Sequence, residues 1–335
     1  MKKKIIIFGA TGNTGAYLID YLYNCLSNEY ELIAVGNRET SFFNKYNIAY
    51  YKVDITRIDD FNKLPKSNIY AVVMLAGILP AYMQGYNPKK YFEVNTIGGF
   101  NVVDYCRQTN VNRIIYTQTI SDLAGYFGKE KYLHPYMERR LNYNNDHTVY
   151  VISKCAIVDL ICNYHEAYGL NAFILRLPNI YMYTENKEYY VNGISRPIAY
   201  RLIIDKAIKG EPIEVWGDYT KEKDIVYVKD LCQMIYKTII TDKTFGIYNV
   251  GTGKGTTLLQ QIQGIIDTFC PQDKVSTITF CPNKPDNPEY IMDISNAIDE
   301  LGYKPQYDYA SLLKDFKKEM ELDRFSELKK SFIKE

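Results

Sequence analysis

The sequence predicts an α/β fold built on a parallel sheet with helices on both faces. Short apolar runs recur along the first half of the chain, amphipathic segments alternate with them, and glycines or other small residues follow the runs. Continuous apolar runs suit strands buried on both faces, and alternation with helices is typical of parallel strands joined by crossovers. We therefore expect a doubly wound parallel sheet with a smaller C-terminal α/β lobe.

Composition and charge limit the class of protein. The chain has 335 residues, 47% of them hydrophobic, which is enough to bury a large core. A net charge of +1 gives no global field that attracts nucleic acid or an anionic membrane. The basic residues 2–4 precede only four apolar residues, and no apolar run reaches the length of a membrane span. We expect a cytoplasmic protein with no nucleic-acid or membrane partner.

Cysteines and histidines give no sign of a disulfide framework or a metal centre. The seven cysteines are scattered without a C-x-x-C pair, and the three histidines do not cluster. We expect reduced thiols and no metal.

The first predicted strand is followed by a glycine-rich turn, and the other predicted elements are placed relative to this unit. Residues 5–8 form an apolar run that ends in a G-x-x-G-x-x-G turn before an amphipathic segment. Glycines there permit a tight turn close to a pyrophosphate, whose charge suits a helix N-terminus. The turn predicts a Rossmann-type nucleotide site formed by Gly9, Thr11, Gly12, Asn13, Thr14 and Gly15.

The second strand, residues 30–35, ends at Gly36, Asn37 and Arg38. An acidic residue at this point commonly binds the adenosine ribose, whereas an arginine accommodates a 2′-phosphate. No acid stands at Gly36 or Asn37, so Asn37 and Arg38 favour NADP slightly over NAD. The alternative is an arginine that is only solvated.

Three further strands follow in the same rhythm. Residues 49–53 lead into Asp54 and Ile55, residues 68–77 end in small residues, and residues 113–117 end at Thr117. A long helix over 88–108 carries Asn95 between the last two. Ligands bind outside the carboxyl ends of such strands.

A tyrosine and a lysine then fall four residues apart, at Tyr150 and Lys154. On a helix they share one face, and an ammonium near a phenol stabilises the phenolate, making it a usable acid or base. The spacing alone is weak evidence in a chain with 33 tyrosines. Its position after the fifth strand gives it weight.

At this point the chain resembles the extended short-chain dehydrogenase/reductases, specifically the NAD-dependent epimerase/dehydratase family that acts on nucleotide sugars. The likeness spans nearly the whole chain and includes the stretches at 175–181, 210–218, 224–230 and 248–253. It implies that Tyr150, Lys154 and Thr119 are catalytic. It implies cofactor contacts at the glycine turn and at Asn37, Arg38, Asp54, Ile55, Leu75, Ala76, Gly77, Thr117, Lys154 and Pro178, and substrate contacts at Asn95, Asn179, Lys223 and Lys284.

The resemblance also implies a division of the chain. We expect a dinucleotide-binding domain over 1–178 with a return segment at about 224–255, and a substrate-binding lobe over 179–223 and 256–335. Family members commonly pair two helices into a dimer. Val151, Ile157, Val158 and Ile161 supply apolar side chains that serve either such a homodimer or the core.

Several departures from the family pattern leave the substrate open. Lys223 and Lys284 stand where the family often has arginine, which binds a diphosphate bidentately. The expected activity is an NAD(P)-dependent epimerase or reductase of a nucleotide sugar. The alternatives are a reductase of a non-sugar carbonyl and a non-catalytic NAD(P)-sensing regulator.

A 4,6-dehydratase is not expected. Family dehydratases place an Asp-Glu pair directly after the catalytic threonine, whereas Thr119 is followed by Ile120 and Ser121, with Asp122 one position later. Removing water needs an acid and a base at those positions.

Overall fold

The computed structural model describes residues 2–143 and 147–329. Its strands are β1 (Lys3–Phe8), β2 (Tyr30–Gly36), β3 (Ala49–Lys52), β4 (Ile69–Met74), β5 (Arg113–Thr119), β6 (Tyr132–Leu133), β7 (Asn171–Leu177), β8 (Ile180–Tyr181), β9 (Glu188–Val191), β10 (Ile194–Pro197), β11 (Ile213–Trp216), β12 (Glu222–Lys223), β13 (Val226–Tyr227), β14 (Phe245–Asn249), β15 (Thr256–Thr257), β16 (Ile278–Cys281) and β17 (Ile291–Met292). Its α-helices are α1 (Asn13–Leu26), α2 (Pro88–Tyr91), α3 (Gly99–Gln108), α4 (His147–Tyr168), α5 (Ala199–Lys209), α6 (Val228–Ile240), α7 (Leu258–Phe269), α8 (Ser295–Leu301), α9 (Tyr309–Leu322) and α10 (Ser326–Lys329).

A seven-stranded sheet forms the centre of the molecule, with the strand order β14-β7-β5-β4-β1-β2-β3. All of its strand pairs are parallel. The order reverses between β1 and β4, which creates a crevice at the carboxyl ends of these two strands. The predicted doubly wound fold is confirmed, and β14 from the return segment extends the sheet at its edge.

The first strand is buried on both faces, as its unbroken apolar run predicts. Ile5 and Ile7 pack into one core cluster, and Ile6 and Phe8 pack into the other. All four side chains are fully buried. Because side chains alternate across a strand, β1 joins the two hydrophobic layers that hold helices on either side of the sheet.

A second, smaller set of elements follows the main sheet. β9 and β10 form an antiparallel hairpin, β11 and β16 pair in parallel, and α7 packs between α5 and α9. The chain then returns to α1, where the Phe325 ring lies 4.7 Å from that of Tyr17 and Arg324 pairs with Asp20 at 2.8 Å. The end of the described chain thus ties this lobe to the glycine-turn helix.

The helix expected over 88–108 is not continuous. Phe92–Gly98 is wound as a π-helix between α2 and α3. Within it, Asn95 is 2% exposed and its side chain bonds to the backbone of Ile78 and to Ser153. Single π-turns inside α-helices often mark functional sites, and this one turns Asn95 inward.

The structure shows whether the apolar side chains of α4 lie in the core or at the surface. Val151, Ile157, Val158 and Ile161 are all at most 6% exposed and belong to the core clusters. Of the two alternatives, the core is the one that these four residues serve. Apolar side chains that do face outward on these helical segments are Phe92, Ile97, Phe100 and Ile152, between 40% and 56% exposed. None of the helices in the described ranges is long and apolar enough to cross a membrane.

Candidate active site

The glycine turn is close-packed against the end of β4. Gly9 has a φ of +84°, and a Cβ atom there would lie 2.7 Å from the backbone nitrogen of Ala76. A Cβ at Gly15 would lie 2.2 Å from the Gly9 carbonyl oxygen. Both positions require glycine, because backbone atoms cannot yield that space. The turn brings the ends of β1 and β4 together at the crevice.

Helix α1 begins directly at this turn. Its N-cap is Gly12, which has no side chain to cap the helix, and its first turn contains no acidic residue. The positive end of the helix dipole therefore faces the crevice without a competing carboxylate from that turn. Asn13 and Thr14 are its first residues. This arrangement suits a bound pyrophosphate.

The end of β2 has no room for an acidic side chain. A Cβ at Gly36 would lie 2.6 Å from Thr11 Oγ1. Arg38 donates to the Thr11 carbonyl oxygen at 2.5 Å, and the Tyr50 hydroxyl donates to the Arg38 carbonyl oxygen. Asn37 is exposed beside them. Thr11 thus occupies the space that an acid at position 36 would need.

The residues after β3 and β4 are the other expected cofactor contacts. Asp54 accepts two hydrogen bonds from Thr56, at 2.8 and 2.9 Å, while the Ile55 side chain is buried. After β4, Leu75 and Ala76 are half-buried and Gly77 is exposed. Their contact with cofactor stays a prediction.

Tyr150 and Thr119 meet at the carboxyl end of β5. Tyr150 lies in the first turn of α4, and its side chain is hydrogen-bonded to that of Thr119. Burial raises the pKa of Tyr150, and the Thr119 hydrogen bond opposes that rise. The Tyr91 ring packs beside it, with the ring centres 5.8 Å apart. Two residues 31 positions apart in sequence are thus in direct contact.

Lys154 follows one helical turn after Tyr150 and is 7% exposed. Its Nζ lies 4.1 Å from the centre of the Tyr116 ring. Burial lowers the pKa of Lys154 to about 7. Thr117, on the same strand as Tyr116, is buried and donates to the Met74 carbonyl oxygen at 3.5 Å.

Asn95 and Ser153 support the tyrosine from behind, and sequence reasoning did not single out Ser153. Ser153 Oγ donates to the Tyr150 carbonyl oxygen at 2.7 Å and accepts from Asn95 Nδ2 at 3.1 Å. The Asn95 side chain is thus bonded to α4 and to the backbone of Ile78, and its expected contact with substrate stays a prediction. A serine in a helix gives no sequence signal for such a role.

Asp122 forms a second buried polar group, with Arg176. The Arg176 guanidinium donates to both carboxylate oxygens at 3.0–3.2 Å, and both side chains are at most 5% exposed. Arg176 also donates to the Pro135 carbonyl oxygen and to Asn249 Oδ1. Asp122 is therefore committed to holding β7 and β14 against the segment after β5.

The expected substrate contacts separate into two places. Asn179 is exposed after the buried Pro178, and its backbone N–H bonds the Tyr290 hydroxyl. Lys223 Nζ lies 5.5 Å from the Tyr290 ring centre, and burial lowers the pKa of Lys223 to about 8. Asn179 and Lys223 are thus joined by Tyr290. Lys284 lies elsewhere, with its Nζ 5.2 Å from the Trp216 ring centre.

A family model covers most of this architecture. The model of the NAD dependent epimerase/dehydratase family matches residues 5–251, which include the glycine turn, Thr119, Tyr150 and Lys154. The chain belongs to the NAD-dependent epimerase/dehydratase family. The resemblance inferred from the motifs is confirmed.

Relatives of this epimerase/dehydratase chain differ in activity. A putative UDP-glucose 4-epimerase of Methanocaldococcus jannaschii is 25% identical over 313 residues, covering 91% of this chain and 94% of that protein. A dTDP-glucose 4,6-dehydratase of Xanthomonas campestris is 29% identical over 168 residues, covering 48% and 45%. The UDP-glucose 4-epimerase structure from Thermotoga maritima has a TM-score of 0.75 at 20% identity, covering 95% of this chain and 99% of that one.

A metal site needs several ligand side chains close together. Across residues 2–143 and 147–329, no three His, Cys, Asp or Glu side chains are grouped so that they could hold a metal ion.

Proposed function

We propose that this protein is an NAD(P)-dependent epimerase or reductase of a nucleotide sugar, with Tyr150 as its general acid and base. The observation that carries the proposal is the hydrogen bond between Tyr150 and Thr119, with Lys154 one helical turn away. These three groups lie at the carboxyl edge of the sheet, beside the crevice at which the glycine turn ends. Ligands of doubly wound sheets bind at that edge.

The residues around the crevice fit a dinucleotide. Gly9 and Gly15 allow the turn to pack closely at the crevice, and α1 directs its N-terminus there. We assign the pyrophosphate to this turn and the nicotinamide ribose to the side of Lys154. A nicotinamide held there would supply the hydride exchange with a sugar carbon.

Tyr150 moves the proton that accompanies this exchange. Burial keeps its phenol protonated, so in the reducing direction it donates to the substrate oxygen. In the oxidising direction the phenolate takes that proton, and the nearby charge of Lys154 stabilises the phenolate. Thr119 donates to the same oxygen and fixes its position.

The proposal includes a preference for NADP over NAD as the cofactor. Thr11 fills the space beside Gly36, so no carboxylate stands there to repel a 2′-phosphate. Arg38 lies at the same strand end and supplies a guanidinium. Arginine pairs with phosphate through two parallel hydrogen bonds, which supports a preference for NADP over NAD.

The nucleotide-sugar substrate is supported by the relatives and by the cations of the second lobe. Lys223 and Asn179 lie around Tyr290 and offer an ammonium and an amide to a diphosphate. Elimination of water is not proposed, because Ile120 and Ser121 follow Thr119 and Asp122 is bonded to Arg176. Neither the acid nor the base that elimination needs is present at those positions.

A homodimer through α2, α3 and α4 completes the proposal. Phe92, Ile97, Phe100 and Ile152 expose apolar surface on these helices and the π-turn between them. In a two-fold symmetric dimer, this apolar surface would be buried against the same surface of a second copy of the chain.

The test combines substrate screening with a matched pair of tyrosine variants. The protein is incubated with a panel of UDP- and dTDP-hexoses and either cofactor, and products are followed by NMR. Tyr150→Phe should lower turnover on the order of 10²-fold or more while cofactor binding is retained. Tyr105→Phe is the control, because Tyr105 is also buried but its hydroxyl bonds the Pro65 carbonyl oxygen at 2.5 Å and the Thr109 side chain.

Three outcomes contradict the proposal. Near-normal turnover in Tyr150→Phe rejects the catalytic role of that tyrosine. A 4-keto-6-deoxy product shows elimination of water. Turnover of non-sugar carbonyls alone, or cofactor binding without any turnover, favours the alternative reductase or the regulator.

A further inference from the structure

Tyr116 touches Lys154 at both ends of the lysine residue. The Tyr116 ring centre lies 4.1 Å from Lys154 Nζ, and the Tyr116 hydroxyl donates to the Lys154 carbonyl oxygen at 3.3 Å. Tyr116 is fully buried in the middle of β5. A rigid strand therefore presents one aromatic side chain to both the backbone and the ammonium of the lysine.

The other groups facing Lys154 give its ammonium no anionic partner. On α4 the Cys155 thiol acts on Lys154, Tyr150 and Cys155 both act on Tyr116, and the Tyr91 ring of α2 packs beside that of Tyr150. Burial raises the pKa of Tyr150, Cys155 and Tyr116, so all three are neutral at pH 7. In the part of the chain that the structure describes, no ion pair involves Lys154.

We propose that Tyr116 is a positioning residue for Lys154, whose ring face holds the lysine charged and aimed at the catalytic edge. This inference rests on the proposed function, which makes Lys154 part of the catalytic group. The ring contributes through its negative face, which attracts a cation more strongly where water is excluded. The hydroxyl contributes a separate contact to the backbone.

Because Lys154 is buried, its contact with the ring can change its protonation state. Burial favours the neutral amine, and the pKa of Lys154 stands at about 7. Near neutral pH, the ratio of amine to ammonium is therefore sensitive to any group that favours one form. Without the ring, more of the lysine is neutral, and a neutral lysine cannot stabilise a phenolate on Tyr150.

The experiment weakens the negative face of the ring in steps while keeping the shape of the ring nearly constant. Phenylalanine and its 4-fluoro, 3,5-difluoro and 3,4,5-trifluoro forms are placed at position 116 of the full chain. The pH titration of Lys154 is then read from the ¹³Cε signal of labelled lysine in the cofactor-free protein, assigned with Lys154→Met. Fluorine weakens the negative face of the ring stepwise and changes its size little.

Tyr116→Phe should titrate within twofold of the unsubstituted protein. The fluorinated series should raise the amine-to-ammonium ratio at a fixed pH progressively, by about tenfold in total, with Tyr116→Leu at the far end. The high-pH limb of the turnover profile should move to lower pH in the same order. Equal titration across the series overturns the proposal, as does a shift in Tyr116→Phe as large as in Tyr116→Leu.

Tyr105→Leu is the matched control. It removes another buried ring, with Lys66 Nζ 5.7 Å from its centre, far from the catalytic group. It should leave the Lys154 titration unchanged, and a shift equal to that of Tyr116→Leu shows a general loss of packing and contradicts the proposal. Because the titration uses cofactor-free protein, it can succeed even if Tyr150→Phe retains turnover, which separates the two failures.

Discussion

Arg176 binds both carboxylate oxygens of Asp122 inside the protein, at 3.0–3.2 Å. The pair joins the segment after β5 to β7, directly beneath the edge that carries Thr119. An aspartate held in this way is a structural group. It holds the segment that follows Thr119 against β7.

Loss of this carboxylate should destabilise the fold. Asp122→Asn leaves the Arg176 charge buried and uncompensated, which should lower the free energy of unfolding by about 3–5 kcal/mol. Urea denaturation measures the change. Asp159→Asn is the control, because that pair with Arg139 has a side chain 66% exposed and should cost about 1 kcal/mol or less. Equal losses in the two variants contradict a structural role for Asp122.

Lys154 should make stability depend on pH. The unfolded chain keeps the lysine proton up to about pH 10.5, whereas the folded protein releases it near 7. Between these values the unfolded state binds more protons, so stability rises as pH rises. Lys154→Met should raise the unfolding free energy at pH 7 by a few kcal/mol and remove this rise.

Thermal denaturation of cofactor-free protein from pH 6.5 to 10 tests the lysine's effect. Lys66→Met serves as the control, since Lys66 donates to the Phe61 carbonyl away from the site. A pH dependence that survives unchanged in Lys154→Met is inconsistent with the expected titration.

Arg38 should decide between the two cofactors. Arg38→Ser removes the guanidinium at the end of β2, so it should weaken NADP binding about tenfold and NAD binding much less. Calorimetric titration with both cofactors measures this. Lys52→Ser is the control, because Lys52 is paired with the exposed Glu39 on the same side of the sheet. A tenfold preference for NAD in the unsubstituted protein shows that the NADP assignment is wrong.

Exposed apolar residues on α3 and the π-turn should hold a dimer. Ile97→Asp and Phe100→Asp place charges on side chains that are 56% and 43% exposed, so they should give monomers at micromolar concentration. Light scattering gives the mass. Ile58→Asp, at a similarly exposed position outside these helices, should leave the dimer intact. A monomeric unsubstituted protein rejects the dimer.

The sequence by itself determined the sheet and its ligand-binding edge. The apolar run of β1, the glycine turn and the repeating strands predicted a doubly wound fold because burial on both faces and tight turns leave local patterns. The four-residue spacing of Tyr150 and Lys154 placed both on one helix face for the same reason. A periodic pattern of residues can be recognised in the sequence without knowledge of the elements that pack against that segment.

Only the tertiary structure decided which partner each side chain meets. Thr119 reaches Tyr150, Tyr116 lies under Lys154, and Asp122 pairs with Arg176, 54 residues away. On α4, Ile157, Val158 and Ile161 pack against residues of the sheet, and Val151 packs against Met83 and Tyr91, which the helix's own pattern did not specify. Such contacts join strands and helices that are distant in sequence, so their geometry exists only once the whole sheet has formed.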